Sequence, residues 1–342
     1  MVKLFAGRSC WAFVLLGSLS SVLGADGGLA PTYFGFWGPD APSEMRDFTN
    51  LAFANTPEET VSNAAYGIHS LLKLHDIFVN QSVRWHHHLN DDYAARWASA
   101  APALAPLVAN GSCLGFFLGD ELLWNGMNFT EMVAYADAVR AAFPRGGGGG
   151  GGGGSSGDGD GHAIIYTNAA WPTLFPAMPG EPTSAGDVAA VPEEQLWLRV
   201  PAALDWWGVD VYPDQYSQEG ALGVLHANVL RKFTSPAQRL VVIPPFYGDR
   251  ANSTTADRRQ LDCGADDCDD AMLRWGAQFN RTFLNASYPD AARVVAAMPY
   301  HWQSLGDGGG MRAQGGVELQ RARAAWEATG RAIVAAERRH RN

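Results

Sequence analysis

The sequence predicts an α/β chain folded as a single-domain (β/α)8 (TIM) barrel, and three observations predict it. Short apolar runs recur along the chain, amphipathic helix-like segments lie between them, and 342 residues suit one barrel with insertions. In order, the runs are Tyr33–Trp37, Asn50–Asn55, Asp76–Asn80, Leu114–Gly119, Ala163–Thr167, Trp206–Val211, Leu240–Pro244 and Arg293–Met298. Each has the length of a buried strand and is almost wholly apolar, as strands covered on both faces are. The expected helices are Asp91–Val108, Asn128–Phe143, Pro192–Leu204, Leu222–Phe233 and Asp270–Leu284, with Val317 to about Glu337 closing the ring. Strands alternating with helices mean parallel βαβ units. An open doubly wound sheet is the rival, but it favours a glycine-rich phosphate turn after its first strand, and YFGFWGP is not one.

Residues 1–25 are expected to be a signal peptide. Lys3 and Arg8 precede an apolar core, Trp11–Leu19, followed by small residues up to Gly24 and Ala25. The barrel then occupies 26–342, with a disordered glycine-rich insertion at about 145–161, because an unbroken glycine run has nothing to bury. Six N-x-[ST] sequons fit a secretory chain: Asn80, Asn110, Asn128, Asn252, Asn280 and Asn285. Cys263 and Cys268 are close enough in sequence to form a disulfide in that compartment, which leaves Cys113 unpaired and buried at a strand start. A metal-binding reading of the acidic loop around them (Asp262, Asp266, Asp267, Asp269, Asp270) is the alternative. The formal charge of −10 argues against nucleic acid or an anionic membrane as a partner. No cofactor is expected. His86, His87 and His88 resemble a metal tract, yet three consecutive side chains cannot all reach one ion.

Active sites of such barrels form at the C-terminal ends of the strands. The expected deliveries there are Trp37 from the first strand, Asn55 from the second, and Asn80 with Arg84 and Trp85 from the third. The fourth gives Asp120, Glu121, Trp124 and Asn125, and the fifth gives Asn168 and Trp171. Asp210 and Tyr212 follow from the sixth, Phe246, Tyr247 and Asp249 from the seventh, and Tyr300, His301 and Trp302 from the eighth. Aromatic faces at an open rim suit a saccharide, whose C–H faces pack on indole and phenol rings. The expected carbohydrate-binding residues are therefore Trp37, Asn80, Trp124, Asn168, Trp171, Tyr212, Tyr247, Tyr300, His301 and Trp302.

The acids are few. Glycoside hydrolysis uses a carboxylic acid to protonate the leaving oxygen and a second group to stabilise the oxocarbenium centre. Glu121 follows a buried apolar strand, and desolvation raises a carboxyl pKa toward the range a general acid needs. Asp120 beside it adds like charge. Asp210, inside an apolar strand, needs either a catalytic role or a salt bridge such as one to Arg84. Asp249 is a third choice.

FFLGDELLWNG resembles the fourth-strand signature of barrel glycoside hydrolases. The large retaining clan ends that strand in Asn-Glu. Gly119-Asp120-Glu121 is instead similar to the Asp-Glu pair of the β-hexosaminidase-type enzymes. That resemblance implies Glu121 as general acid/base and Asp120 as the residue orienting a substrate acetamido group. The chain departs from the large clan at strand seven, where IPPFYGD carries no Glu. A catalytically silent carbohydrate-binding barrel is the reading from another class.

Overall fold

The computed structural model describes residues 31–37, 42–80, 86–145, 162–170, 173–174, 193–210, 229–244, 246, 248–249, 268–284, 290–300, 313–314 and 319–341. Eight short strands form its centre: β1 (Tyr33–Phe34), β2 (Leu51–Ala54), β3 (His69–Lys73), β4 (Gly115–Phe117), β5 (Ile164–Ala169), β6 (Trp206–Asp210), β7 (Arg239–Ile243) and β8 (Val294–Ala297). Every ladder between them is parallel, and the order runs β1-β8-β7-β6-β5-β4-β3-β2. Asn50 closes the remaining seam. Its backbone N donates to Phe34 O (2.9 Å), its Oδ1 accepts from Phe34 N (2.7 Å), and its Nδ2 donates to Thr32 O (3.0 Å). The chain is a (β/α)8 barrel.

Between the strands lie α1 (Pro57–Ala65), α2 (Tyr93–Ala109), α3 (Phe129–Ala142) and α4 (Cys268–Phe279), and α5 (Gln320–Arg341) follows the last. Period-two alternation on the strands divides the apolar residues into two bodies. Tyr33, Phe53, Leu71, Phe117, Ile164, Tyr166 and Trp206 fill the barrel, whereas Phe34, Phe116, Ile165 and Trp207 face the helices. Helix α3 buries Met132, Tyr135, Ala136 and Val139, one stripe at helical spacing, and starts at a capping box between Asn128 and Glu131. Helix α5 meets β1 closely at Gly330, where a Cβ would stand 2.1 Å from Phe48 O, so no larger residue fits.

Seven of the predicted runs contain or overlap the observed strands, but the third is corrected. Strand β3 is His69–Lys73, and Asp76–Asn80 instead forms a helical turn (His75–Phe78) followed by a two-residue ribbon (Val79–Asn80) paired with His88–Leu89. Gly67, at φ 73° just after α1, ends that helix and releases HSLLK as the strand. The helix expected over Pro192–Leu204 is limited to one 3-10 turn, Glu193–Gln195. Pro201 lacks an N–H and disfavours helix at the residue before it. Residues 222–228 of the next expected helix lie outside the described residues. Arg338 and Arg339 belong to the last turns of α5, which runs past the expected end at about Glu337. No helix among the described residues is long and apolar enough to cross a membrane.

Candidate active site

The turn after β4 is fixed before its acids do anything. Leu118 O accepts from the Tyr135 hydroxyl (2.9 Å), and Gly119 O accepts from Thr167 Oγ1 (2.8 Å). Asp120 O accepts from Asn125 Nδ2 (3.2 Å), and Glu121 O accepts from Asn125 N (2.9 Å). Leu122 and Leu123, wholly buried, anchor the far side. Within this frame Glu121 holds φ at 47°, the left-handed region that costs a non-glycine residue about 1 kcal/mol. Such strain persists where surroundings over-determine it, typically at functional positions.

Strands β5 and β6 bring the complement. Ile164, Tyr166 and Asn168 alternate inward on β5, and Trp206, Gly208 and Asp210 do so on β6, with Asn168 paired to Gly208 in register. Asn168 Nδ2 donates to Asp120 Oδ1 (2.5 Å) and to Asp210 Oδ2 (2.9 Å). Asp210 also hydrogen-bonds Glu121. Three carboxyls from two strand ends therefore meet around one buried amide.

Their protonation follows from that crowding. Burial, then the charge of Asp120, pushes Glu121 up to about 7, partly offset by the hydrogen bond from Asp210. Asp210, only 4% exposed, is driven well above the usual carboxylate range by burial and then by Glu121 and Asp120. Asp120 is pushed up to about 6 by burial, against the pull of Asn168 and Lys73. Protein crowds Asp120 on most sides, yet its surface is open to the barrel mouth. Water reaches this carboxyl, so its rise ranks below the other two.

The walls are aromatic. Trp37 meets Phe53 edge-on at 4.6 Å and Phe117 at 5.3 Å, and its ring lies 6.4 Å from Tyr300. Burial and the three acids raise the Tyr300 hydroxyl to about 12. Lys73, exposed at the end of β3, donates to Asn55 Oδ1 (2.9 Å) and lies 5.8 Å above the Phe53 ring. Sequence reasoning missed Lys73 because it placed the third strand too late; Gly67 was the available signal. It also passed over Phe53, Phe117 and Tyr166, which inward alternation would have revealed.

Of the other expected site residues, Trp124 is half-buried in the turn after β4. Asn80 is exposed on the ribbon with His88, not at a strand end. Trp171, Tyr212, Tyr247, His301, Trp302, Arg84 and Trp85 lie outside the described residues, as does the side chain of Asp249. Among the described residues no cation pairs with Asp210, so its partners there are Asn168 and Glu121. The histidine tract divides its contacts: His88 faces Glu131 (3.6 Å), and the His87 ring packs on His75. No cluster of three or more metal-ligating side chains occurs among the described residues. In the acidic loop, Asp269 and Asp270 pair with Arg321 of α5 (3.2 and 2.6 Å). Cys113 is buried and free just before β4, and Cys263, Asn252 and Asn285 lie outside the described residues. Asn110 is exposed and Asn128 caps α3, but Asn280 is 7% exposed and its Nδ2 donates to Thr329 (3.1 Å), which leaves no space for a glycan.

No protein-family model matches the chain, and no curated protein matches it. Among solved structures it is similar to a GH113 β-mannanase from Alicyclobacillus acidocaldarius, with 13% identity and a TM-score of 0.48 over 90% of this chain and 98% of that one. A second GH113 β-1,4-mannanase follows at 10% identity and a TM-score of 0.41, covering 86% and 97%. A GH18 chitinase from Pseudoalteromonas aurantia matches at 9% and 0.34, covering 79% and 93%. The assignment of the barrel rests on the strand ladder itself.

Proposed function

We propose that the chain is a glycoside hydrolase with Glu121 as general acid/base. The observation that supports this best is the carboxyl of Glu121, held protonatable near neutral pH among two further acids, at the barrel end where such folds do chemistry. An acid of that pKa protonates a glycosidic oxygen and returns as base toward water. Asp120, which faces the open mouth beside Asn168, opposes the developing positive charge on the sugar. Trp37, Trp124 and Tyr300 supply flat surfaces for sugar rings, and the same role is proposed for Trp171, Tyr212, Tyr247, His301 and Trp302. The secretory reading, with a cleaved leader over 1–25, a Cys263–Cys268 bridge and glycans on exposed sequons such as Asn80 and Asn110, belongs to the same proposal.

The test uses chromogenic aryl glycosides with and without an N-acetyl group, on the wild type and on Glu121→Gln. A hydrolase turns over at least one of them, and the variant loses turnover while retaining affinity. The absence of Glu after β7, where Ile243 runs into Pro244, favours a second reading as a silent carbohydrate-binding barrel. That reading predicts glycan binding without turnover in either protein.

A further inference from the structure

We infer that Asp210 is a positioning residue for Glu121, retaining its own proton throughout the reaction, and is not the nucleophile. This rests on the reading of Glu121 as acid/base.

Three observations carry it. A nucleophile must touch the anomeric carbon, but Asp210 is 4% exposed and is hydrogen-bonded to Asn168 and Glu121. Spacing is the second. Retaining glycosidases hold their two carboxyls roughly 5–5.5 Å apart and inverting ones roughly 6.5–9.5 Å. Carboxyls in direct hydrogen bond, as Glu121 and Asp210 are, leave room for neither a sugar carbon nor a water between them. The third is charge. Two carboxylates in contact do not both ionise. Among the described residues, the groups facing Asp210 are Glu121 and Asp120 from the β4 turn, Asn168 and Tyr166 from β5, and Tyr300 beyond β8. None of these is a cation, and Lys73 at the end of β3 acts on Asp120 instead.

Asp210 therefore keeps its O–H and donates it to Glu121. In the acid step the Glu121 proton passes to the leaving oxygen as its bond to the anomeric carbon breaks, the positive charge on the sugar is opposed by Asp120, and the Glu121 carboxylate accepts the Asp210 hydrogen bond. In the base step that carboxylate takes a proton from water as the water oxygen bonds to the anomeric carbon, and Asp210 again gives up nothing. Asparagine can make the same donation.

The experiment compares Asp210→Asn with Asp210→Ala on the aryl glycosides, together with an infrared difference spectrum of wild type minus Asp210→Asn at neutral pH. Asp210→Asn is expected to stay within about tenfold of wild type, while Asp210→Ala, lacking the donor, falls by about a hundredfold and is not rescued by azide. The spectrum is expected to show a protonated carboxyl. Equal inactivity of both variants, azide rescue of Asp210→Ala, or a carboxylate band in the spectrum overturns the inference. Absence of turnover in the wild type counts against the Glu121 reading alone, because the infrared band reports on Asp210 without any substrate.

Discussion

Asn168 Nδ2 stands 2.5 Å from Asp120 Oδ1 on the neighbouring strand end, so a buried amide on β5 fixes the carboxylate nearest the open mouth. Its second hydrogen goes to Asp210 at 2.9 Å. Removing it frees two acids at once. Asn168→Ala is expected to lower kcat by about 10²- to 10³-fold, the effect of losing one preorganised donor. Asn168→Asp, which adds a fourth acid, should be no better. Steady-state kinetics beside a thermal melt separate this loss from unfolding.

The pH profile follows from the two raised acids that face the mouth. As the proposed acid, Glu121 must be protonated and is held at about 7, so kcat/KM is expected to fall as pH rises through that value. In its proposed role Asp120 must be ionised and is held at about 6, so activity is also expected to fall below that value. The optimum lies between. Stability carries the opposite sign to the usual carboxylate. A pKa raised in the folded state contributes stability that is full below the unfolded value, roughly 4.3 for Glu. It is lost as pH climbs through the folded value of about 7. Melting temperatures across this window should decline, and Glu121→Gln should flatten the decline.

Glycine at 121 tests the backbone separately. Glu121→Gly removes both the carboxyl and the left-handed strain at φ 47°, so it should be inactive yet more stable than Glu121→Gln by about 1 kcal/mol. Chemical denaturation of the two variants measures the difference. Equal stability would mean that the turn carries no strain.

Gly208 has no space for a side chain. A Cβ there would lie 2.5 Å from the Tyr166 hydroxyl and 2.9 Å from Asn168 Cβ. Gly208→Ala should cost about 1–3 kcal/mol by overpacking. By moving Asn168 it should also cut activity more than the lost stability explains.

Asp205 serves as the control at the other mouth of the barrel. It is buried, accepts from Arg140, from Arg145 Nε (2.8 Å) and from Ile165 N (2.9 Å), and joins the residues flanking β5 and β6. Asp205→Ala leaves those donors unmatched and is expected to destabilise by about 3–5 kcal/mol. The pH–rate profile of whatever remains folded should not change.

Apolar runs with helical segments between them already spelled out a barrel, because strands buried on both faces need neither alternation nor partners to be recognised. Leu114–Gly119, Ala163–Thr167 and Trp206–Val211 were legible for that reason, and with them the positions of Asp120, Glu121, Asn168 and Asp210. The third strand was not. DIFVN and HSLLK are both short apolar runs, and only Gly67 at the end of α1 decides between them. Lys73 was lost with that choice, and Asn80 was given a place it does not hold.

What the sequence alone determined is chemistry ordered along a line: which strand ends carry acids, amides and rings. What only the tertiary structure decided is which of these meet. The contact of Asp210 with Glu121, the sharing of one Asn168 amide between two acids, and the rise of the Glu121 pKa to about 7 all depend on the stagger of neighbouring strands and on water excluded at angstrom range. Hydrophobic pattern is written residue by residue, whereas electrostatic coupling varies with distance and dielectric, and both exist only once the ring has closed.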